Sequence, residues 1–577
     1  EYVTGYKTSM NTIVTANFKL EQDLKMLLDG LKFSGIFSFK NNMTSEVKRT
    51  SAYNAFSVDN FNSETGEYDI KSTNTTEVAT NVNTSGSQGS NRKIYVQAML
   101  DYNHIFNDVH DLNVMLLYNH QQYNNNIVTN LYTSLPERKQ GIAGRISYAY
   151  AGKYLAEANF GYNGSENFAK GHRFGFFPSF AIGYNIAEEA FWEKIKPVIS
   201  RLKLRASWGL VGNDQTGAGR FSYMEDLALG SDPSFTTGFG SNVVTRKGPL
   251  LKRAFNPDLT WEIGEKYNAG IDLQLFDAVN ISADVFKEVR RDIYMENTTM
   301  PGYLGMGDTK LYGNLGKVKN TGVDMSLDYN KQINKDLFVS FKGTFTYAHN
   351  TVVEYNEPAF RNYPNRSRTG HSIDQYEGFI SNGLFSDWQA VYDWADQSGL
   401  GYNFYGPGDI RYVDQPDVNG NYSGTITSDD KVYLGNPQNP EIIYGFGPSI
   451  KWKNWDFSFF FQGAAKTSLM MSGIHPFGTR SINGLFQFIA DDHWSVDNPN
   501  PNAKYPRLSK KDNTNNTEWS DYWLRNAAFL KLKNAEIGYT FKNMRFYFSG
   551  QNLLTFSPFK EWDPEMGGGS GLKYPTQ

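Results

Sequence analysis

The chain has 577 residues and a formal net charge of −4, from 56 basic and 60 acidic side chains, which argues against a nucleic-acid-binding or polybasic membrane-surface protein. It contains no cysteine, so disulfide scaffolds, thiolate catalysis and cysteine-ligated zinc are excluded. Aromatic residues make up 15% of the chain although its mean hydropathy is only −0.53. That combination is typical of an all-β protein, either soluble or a membrane barrel whose alternating strands average to a polar hydropathy.

Alternation of polar and apolar residues with a period of two predicts about sixteen amphipathic strands. In residues 201–208, for example, basic residues alternate with Leu, Ala and Trp. In residues 266–275 the same alternation puts Leu273 on the apolar face and Asp272 on the polar face. In chain order the predicted strands are 12–22, 31–41, 93–104, 111–121, 141–150, 154–163, 178–186, 201–209, 266–275, 279–287, 320–331, 336–348, 442–453, 455–463, 528–541 and 543–551.

The connections between these strands alternate between short and long. Short connections are predicted at 151–153, 276–278, 332–335, Asn454 and Lys542. Connections of more than 50 residues are predicted at 42–92, 210–265, 349–441 and 464–527. An outer-membrane barrel has short periplasmic turns and long extracellular loops, whereas a soluble propeller or multi-sandwich protein, the alternative, has no reason to sort its connections in this way. The segment 187–200 interrupts the pattern, and we expect it to form a helical turn on the periplasmic side.

The predicted fold class is therefore all-β, a transmembrane antiparallel β-barrel. In such a barrel Leu273 faces lipid and Asp272 faces a wet lumen. If short turns are periplasmic, the strand 543–551 runs outward, and a closed barrel needs one more returning strand after it. The strand 12–22 runs toward the periplasm, so an odd number of strands is expected before it. We therefore expect residues 1–577 to be part of a larger barrel.

Several segments, in this order, resemble one known family. They include Leu202–Gly209, Asn320–Val323, Tyr547–Phe556 and Glu561–Glu565, the last reading Glu-Trp-Asp-Pro-Glu. From about residue 141 onward the chain is similar to the SusC/RagA-type TonB-linked outer-membrane transporters of the Bacteroidota. The resemblance implies a barrel of 22 strands filled by an N-terminal plug, and hence a plug, five initial strands and a final strand that lie outside this chain.

The resemblance also implies a function and partners. Family members reside in the outer membrane of Gram-negative bacteria and import glycans or peptides together with a SusD-like surface lipoprotein, and their plug contacts TonB. Membrane lipid or lipopolysaccharide and an oligosaccharide or peptide are the other implied partners, and nucleic acid is not. The alternative is a SusC-like barrel that serves as a structural scaffold in an outer-membrane assembly or secretion complex. The sequence does not separate these two functions.

Sequence motifs of enzymes are absent. The chain has no HExxH, GxSxG, GxxxxGK or GxGxxG pattern, and its eight histidines are scattered. We therefore expect no enzymatic activity and predict no catalytic residue. The long loops carry aromatic residues that could stack on a sugar ring or pack on one another, namely Trp388, Tyr392, Trp394, Tyr402, Phe404 and Tyr405. No substrate-binding residue can be named from the sequence.

One loop resembles a degenerate form of the 12-residue calcium-binding loop. Compared with the 12-residue calcium loop, the side chains of Asn419, Asn421 and Ser423 take the first three ligand positions, Thr425 offers its backbone carbonyl and Asp430 closes the loop. Family members carry an Asp-rich loop here, after a lead similar to Gly-Asp-Ile.

This copy of the loop departs from the family pattern. It has a single carboxylate among the predicted side-chain ligands and an apparent insertion around Asp414 and Asp417. Calcium prefers several charged oxygen ligands. Calcium in an extracellular loop is thus one interpretation, and a degenerate turn that leads to the next strand is the other.

Overall fold

Long β-strands dominate the computed structural model, which describes residues 5–50, 56–61, 64–72, 83–128, 131–215, 217, 219–299, 303, 309–360, 362–400, 404–471, 485–509 and 513–567. Its strands in chain order are Gly5–Asp23 (β1), Leu31–Thr50 (β2), Phe56–Phe61 (β3), Tyr68–Ser72 (β4), Asn83–Phe106 (β5), His110–Asn125 (β6), Glu137–Tyr150 (β7), Tyr154–Ser165 (β8), Phe174–Asn185 (β9), Ile199–Asn213 (β10), Asp226–Thr237 (β11), Val244–Arg253 (β12), Glu262–Leu275 (β13), Val279–Glu296 (β14), Tyr312–Asn334 (β15), Leu337–Glu354 (β16), Tyr376–Gly378 (β17), Ser381–Leu384 (β18), Ile410–Tyr412 (β19), Val432–Leu434 (β20), Ile442–Trp452 (β21), Trp455–Ala465 (β22), Ser468–Met470 (β23), Leu524–Asn526 (β24), Phe529–Phe541 (β25) and Met544–Phe556 (β26).

Sixteen of these strands form one antiparallel sheet, which we call the wall. Its order is β1-β2-β5-β6-β7-β8-β9-β10-β13-β14-β15-β16-β21-β22-β25-β26, so each strand pairs with the next wall strand along the chain. All sixteen predicted strands are confirmed, in the predicted order. The other strands form five two-stranded ribbons within the long connections.

Most wall strands are longer than predicted, mainly at the ends that lead into the long connections. β2 continues to Thr50, β5 begins at Asn83 and β14 continues to Glu296. These extensions show little alternation because both of their faces can be polar once the strand has left the apolar layer. Period-two patterning therefore does not reveal them.

The short turns and the helical turn are confirmed. Two-residue turns join β21 to β22 and β25 to β26, and their first residues, Lys453 and Lys542, both have φ of 52°. A positive φ matches the twist of the paired strands in such tight hairpins. Between β9 and β10 the chain forms two short 3₁₀ turns, Ile186–Glu188 and Ala190–Trp192.

The α-helices in the described residues are few and short. They are Leu131–Ser134 (α1), Trp388–Tyr392 (α2) and Gln487–Asp491 (α3). No helix in the described part of the chain is long and apolar enough to cross a membrane.

The wall has one polar and one apolar face. Lys203 of β10 is paired with Asp272 of β13, and Leu202 is paired with Leu273, so the two sets lie on opposite sides of the sheet. Apolar side chains on the second face remain exposed, as for Ile182 at 66%. A sheet face of this kind needs an apolar solvent or a partner to cover it.

At the two ends of the wall, the described pairings give β1 one partner, β2, and β26 one partner, β25. The prediction that further strands and a plug belong to the complete protein stays a prediction.

The main hydrophobic core lies outside the wall, in the long connections. We call it the loop core. It is built from the described parts of residues 376–434 and 469–527 together with Phe559, and its largest fully buried side chains include Phe379, Tyr412, Tyr505 and Trp523. A smaller cluster of Phe168, Phe177, Leu259 and Trp261 lies where β9 and β13 begin.

Candidate functional site

The polar face of the wall is held by ion-pair networks. The guanidinium of Arg205 on β10 donates to Asp284 at 2.5 Å and to Asp272 at 3.3 Å, and it also donates to the Ser282 hydroxyl at 3.1 Å. Near the other end of the sheet, Arg545 pairs with Asp456 at 2.5 Å and with Glu536. These networks give the face fixed, mutually compensated charges suited to a hydrated passage.

The loop core brings distant parts of the chain together. Short strand pairs join Tyr376–Gly378 to Val432–Leu434 and Ser468–Met470 to Leu524–Asn526. Aromatic rings then fill the interior. For example, the ring centroids of Phe379 and Tyr412 are 4.9 Å apart. The described parts of the connections between β16 and β21 and between β22 and β25 therefore form one packed body.

A buried carboxylate, Asp409, organises this body. The side chain is completely buried. Its Oδ1 atom accepts hydrogen bonds from Arg507 Nε at 2.7 Å and from the side-chain amides of Asn513 and Asn516, both at 2.9 Å. Its Oδ2 atom accepts from Arg507 Nη2 at 2.8 Å and from the Gly406 backbone at 2.8 Å. Five donors satisfy one buried charge, as burial of an ion requires.

Buried amides extend this network from Asp409. Asn516 Oδ1 accepts from the Ile410 backbone at 2.9 Å, and Asn515 donates to the Ile410 carbonyl at 2.9 Å. Gln397 donates to Asn515 at 2.5 Å and accepts from the Tyr412 backbone at 2.7 Å. All five residues are buried, so these hydrogen bonds fix the loop geometry without competition from water.

A second ion cluster, around the buried Lys531, fixes the 557–567 segment to the wall. Lys531 of β25 is 1% exposed, and its ammonium donates to Asp563 at 2.6 Å and to Glu565 at 2.5 Å. Lys533 adds a contact to Glu565 at 2.7 Å. The Glu561–Glu565 motif is thus the partner of two lysines on the last wall hairpin.

At the candidate calcium loop, the structure brings Asp414 and Asp430 together. Asp414 accepts from Ser423 Oγ at 3.3 Å and from the Gly424 backbone at 2.6 Å. Asp430 accepts from the backbones of Gln415 and Thr427, both at 2.7 Å. Both carboxylates are buried, and burial together with the neighbouring Asp414 carboxylate raises the pKa of Asp430.

The other predicted calcium ligands lie in two separate parts of the loop. Ser423 Oγ donates to the Thr425 carbonyl at 2.7 Å, so Ser423 and Thr425 lie beside Asp414. The backbones of Asn419 and Asn421 instead donate to the exposed Asp417 at 2.8 and 2.9 Å, in the loop formed by the insertion. The sequence pattern assigns Asp414 to the insertion and not to the ligand set. In the structure, Asp414 is the carboxylate that faces Asp430.

The loop aromatics also divide into two groups. Trp388, Tyr392 and Phe404 are exposed, and Trp388 lies 6.4 and 6.5 Å from the other two ring centroids. Trp394 donates to the Tyr412 carbonyl and Tyr405 to Asp396, so both serve the loop structure. Tyr402 lies outside the described residues.

In the described residues, no group of three or more histidine, cysteine, aspartate or glutamate side chains is arranged to hold a metal ion. Asp409, Gln397, Asn515, Asn516 and Lys531 were missed as functional positions by the sequence reasoning. The lead Gly408–Tyr412 and the Glu561–Glu565 motif mark their neighbourhoods in the sequence, but nothing local indicates which distant residues they contact.

An antiparallel wall of amphipathic strands is typical of the outer-membrane β-barrels of Gram-negative bacteria when short turns join the strands at one edge and long loops join them at the other. The family model described as TonB dependent receptor-like, beta-barrel, matches residues 2–553. The chain belongs to this family.

Curated relatives and solved structures agree with this assignment. The chain is 28% identical over 446 residues to TonB-dependent receptor P3 of Formosa agariphila, a match that covers 74% of this chain and 42% of that protein. It is 27% identical over 449 residues to TonB-dependent receptor SusC of Bacteroides thetaiotaomicron, covering 74% and 41%. The RagAB peptide importer in its "closed-closed" state shares the fold, with a TM-score of 0.71 at 18% identity over 99% of this chain and 61% of that one. The chain thus spans about two fifths of the length of these curated relatives.

Proposed function

We propose that the complete protein imports a glycan or a peptide across the outer membrane by TonB-dependent transport, together with a SusD-like surface lipoprotein. In this proposal the chain supplies the wall of the passage and the loop body at its outer mouth, and it carries out no chemical step. Binding and gating replace catalysis.

One observation carries the proposal most directly, namely the polar face that runs across the sixteen wall strands. Its charges are compensated within the wall, as in the Arg205 and Arg545 networks, so a polar solute can pass without meeting a large field of one sign. The relatives that bear the names TonB-dependent receptor and peptide importer support the same function.

The test is a purification of the intact tagged protein from its native outer membrane in detergent, followed by mass spectrometry of everything that accompanies it. We expect a stoichiometric SusD-like lipoprotein and a bound oligosaccharide or peptide. Co-purification of barrel-assembly or secretion components without such a ligand would contradict the proposal and make the protein a scaffold.

We further propose that the loop 414–430 binds calcium. The oxygens available to the ion are the carboxylates of Asp414 and Asp430, the Ser423 hydroxyl and the Thr425 carbonyl. Two adjacent buried carboxylates repel each other when both are ionised, and a hard divalent cation with a preference for charged oxygen relieves that repulsion. This oxygen set fits calcium better than a set that includes Asn419 and Asn421.

Removal of calcium should therefore loosen the loop core. We expect EDTA to lower the temperature at which protease cuts residues 404–434 in the purified intact protein, and added calcium to restore it. Asp430→Asn should abolish the effect of EDTA. The control is Asp429→Asn, because the neighbouring Asp429 is half-exposed and contacts Arg366 instead. Equal responses to EDTA in the wild type and in Asp430→Asn would rule out calcium at this position.

A further inference from the structure

Three cationic side chains form a cluster on the apolar face of the wall, where alternation would place apolar residues. Lys287 and Arg291 belong to β14 and Lys319 belongs to β15, and all three are exposed. The register fixes their side of the sheet, because Lys287 is paired with Tyr267 and Arg291 with Ile263, both on the apolar face of β13. These cations therefore point toward the membrane and not into the passage.

The three cations surround one apolar residue, Val289. Lys319 is directly opposite Val289 on the neighbouring strand, while Lys287 and Arg291 are the next residues on the same face along β14. Diagonal neighbours on adjacent antiparallel strands are about 7–8 Å apart. Lys319 can therefore reach the same bound anion as Lys287 or Arg291.

The cluster lies toward the outer end of the wall. The short turn between β13 and β14 is at 276–278, at the periplasmic edge, and Lys287 is well along β14 from it. The Lys287 ammonium is 6.0 Å from the ring centroid of Tyr267, which is itself exposed on the apolar face. Tyrosine and tryptophan rings mark the membrane interface in such barrels, so the cations are at the level of the outer-leaflet headgroups.

Nearby carboxylates compensate only part of this charge. Glu265 lies opposite Val289 on β13, close enough to feel Lys287 and Arg291, but it accepts hydrogen bonds from Trp208 Nε1 at 3.0 Å and from the Tyr267 hydroxyl at 2.6 Å.

Two other carboxylates are already engaged. Asp292 pairs with Arg291 at 2.6 Å, and Glu354 pairs with the adjacent Lys317 at 3.5 Å. Within the described residues, Lys287 and Lys319 have no ion-pair partner within 4.0 Å. Two ammonium groups thus remain available at the surface.

We propose that Lys287, Arg291 and Lys319 bind the phosphate groups of lipopolysaccharide in the outer leaflet. Phosphate oxygens accept strong charge-assisted hydrogen bonds from ammonium and guanidinium groups. Below the cations the same face continues with Val285 and Ala283, which can contact acyl chains. A phosphorylated glycolipid can bind the cations through its phosphates and the apolar side chains through its acyl chains. Free phosphate can bind only the cations.

The test measures binding of purified lipid A to the intact protein in detergent by native mass spectrometry. The probes are lipid A with two phosphates, the same lipid A after phosphatase treatment, and phosphatidylglycerol. The variant is the triple substitution Lys287→Gln, Arg291→Gln and Lys319→Gln. A charge-matched control, whose substitutions lie on the polar face, is Lys203→Gln, Lys266→Gln and Lys342→Gln.

We expect the triple variant to bind two-phosphate lipid A at least about tenfold more weakly than the wild type, with the control unchanged, because the loss of even one charge-assisted contact weakens binding about tenfold. Phosphatase treatment of the lipid A should weaken its binding to the wild type by a similar factor. Equal binding by the triple variant and the wild type would overturn the proposal. A preference for phosphatidylglycerol over two-phosphate lipid A would also overturn it, in favour of a phospholipid site.

Discussion

Asp409→Asn is expected to unfold the loop core while the wall stays intact. The substitution removes the carboxylate charge that pairs with the Arg507 guanidinium and replaces one accepting oxygen with an amide donor. That donor would face either the donors around Oδ1, from Arg507, Asn513 and Asn516, or those around Oδ2, from Arg507 and Gly406. Breaking a buried ion pair in this way costs about 3–5 kcal/mol, and buried donors left without acceptors add to that cost.

Limited proteolysis of the intact protein in detergent measures this effect. New cleavage should occur within residues 376–434 and 485–527, while the wall keeps the heat-dependent gel migration of a folded barrel. The matched control is Asp417→Asn, a loop carboxylate that accepts from the backbones of Asn419 and Asn421 and from the Asn421 side-chain amide, and its effect should stay within about 1 kcal/mol. Identical cleavage patterns in the two variants would show that Asp409 does not organise the loop core.

Lys531→Met is expected to release the 557–567 segment from the wall. The substitution leaves Asp563 without its ammonium partner and leaves Glu565 with Lys533 alone. Removing the buried Lys531 costs about 1–3 kcal/mol, because Glu565 is only 19% exposed, whereas Asp563 at 40% is partly solvated by water. The segment should therefore open far more often than in the wild type.

The absence of cysteine in this chain allows a direct measurement of that opening. Ser557 is buried, and its hydroxyl donates to the Ala528 carbonyl at 2.8 Å. Ser557→Cys therefore places a thiol that a maleimide reaches only when the segment opens. Adding Lys531→Met should raise the labelling rate about tenfold. Adding Lys533→Met instead, which removes one contact to Glu565, should raise it much less, and equal rates for the two variants would refute the special role of Lys531.

The wall could be predicted from the sequence because its determinant is local. Each wall strand separates a polar medium from an apolar one. Successive side chains therefore alternate between polar and apolar residues, as Asp272 and Leu273 do. The strand extensions 42–50 in β2 and 83–92 in β5 could not be predicted, since no such separation exists there.

The loop core could not be predicted for a different reason. Gln397, Asn515 and Asn516 are polar residues in loop-like sequence, and their burial depends on partners about a hundred residues away. The ligand positions of the candidate calcium loop also depend on the three-dimensional fold. Spacing alone favoured Asn419 and Asn421, but folding of the insertion brings Asp414 to Asp430.

The Asp409–Asn516 contact joins residues that are 107 positions apart in the chain, and the hairpin of β21 and β22 lies between them. The two halves of the loop core can meet only after that hairpin has inserted and both flanking loops have crossed to the outer side. Contacts of such high sequence separation carry a large loop-closure cost and form late in folding. Closure of the loop core should thus be a late step of biogenesis, and a barrel that inserted this hairpin out of register would be left with an unfolded, protease-sensitive exterior.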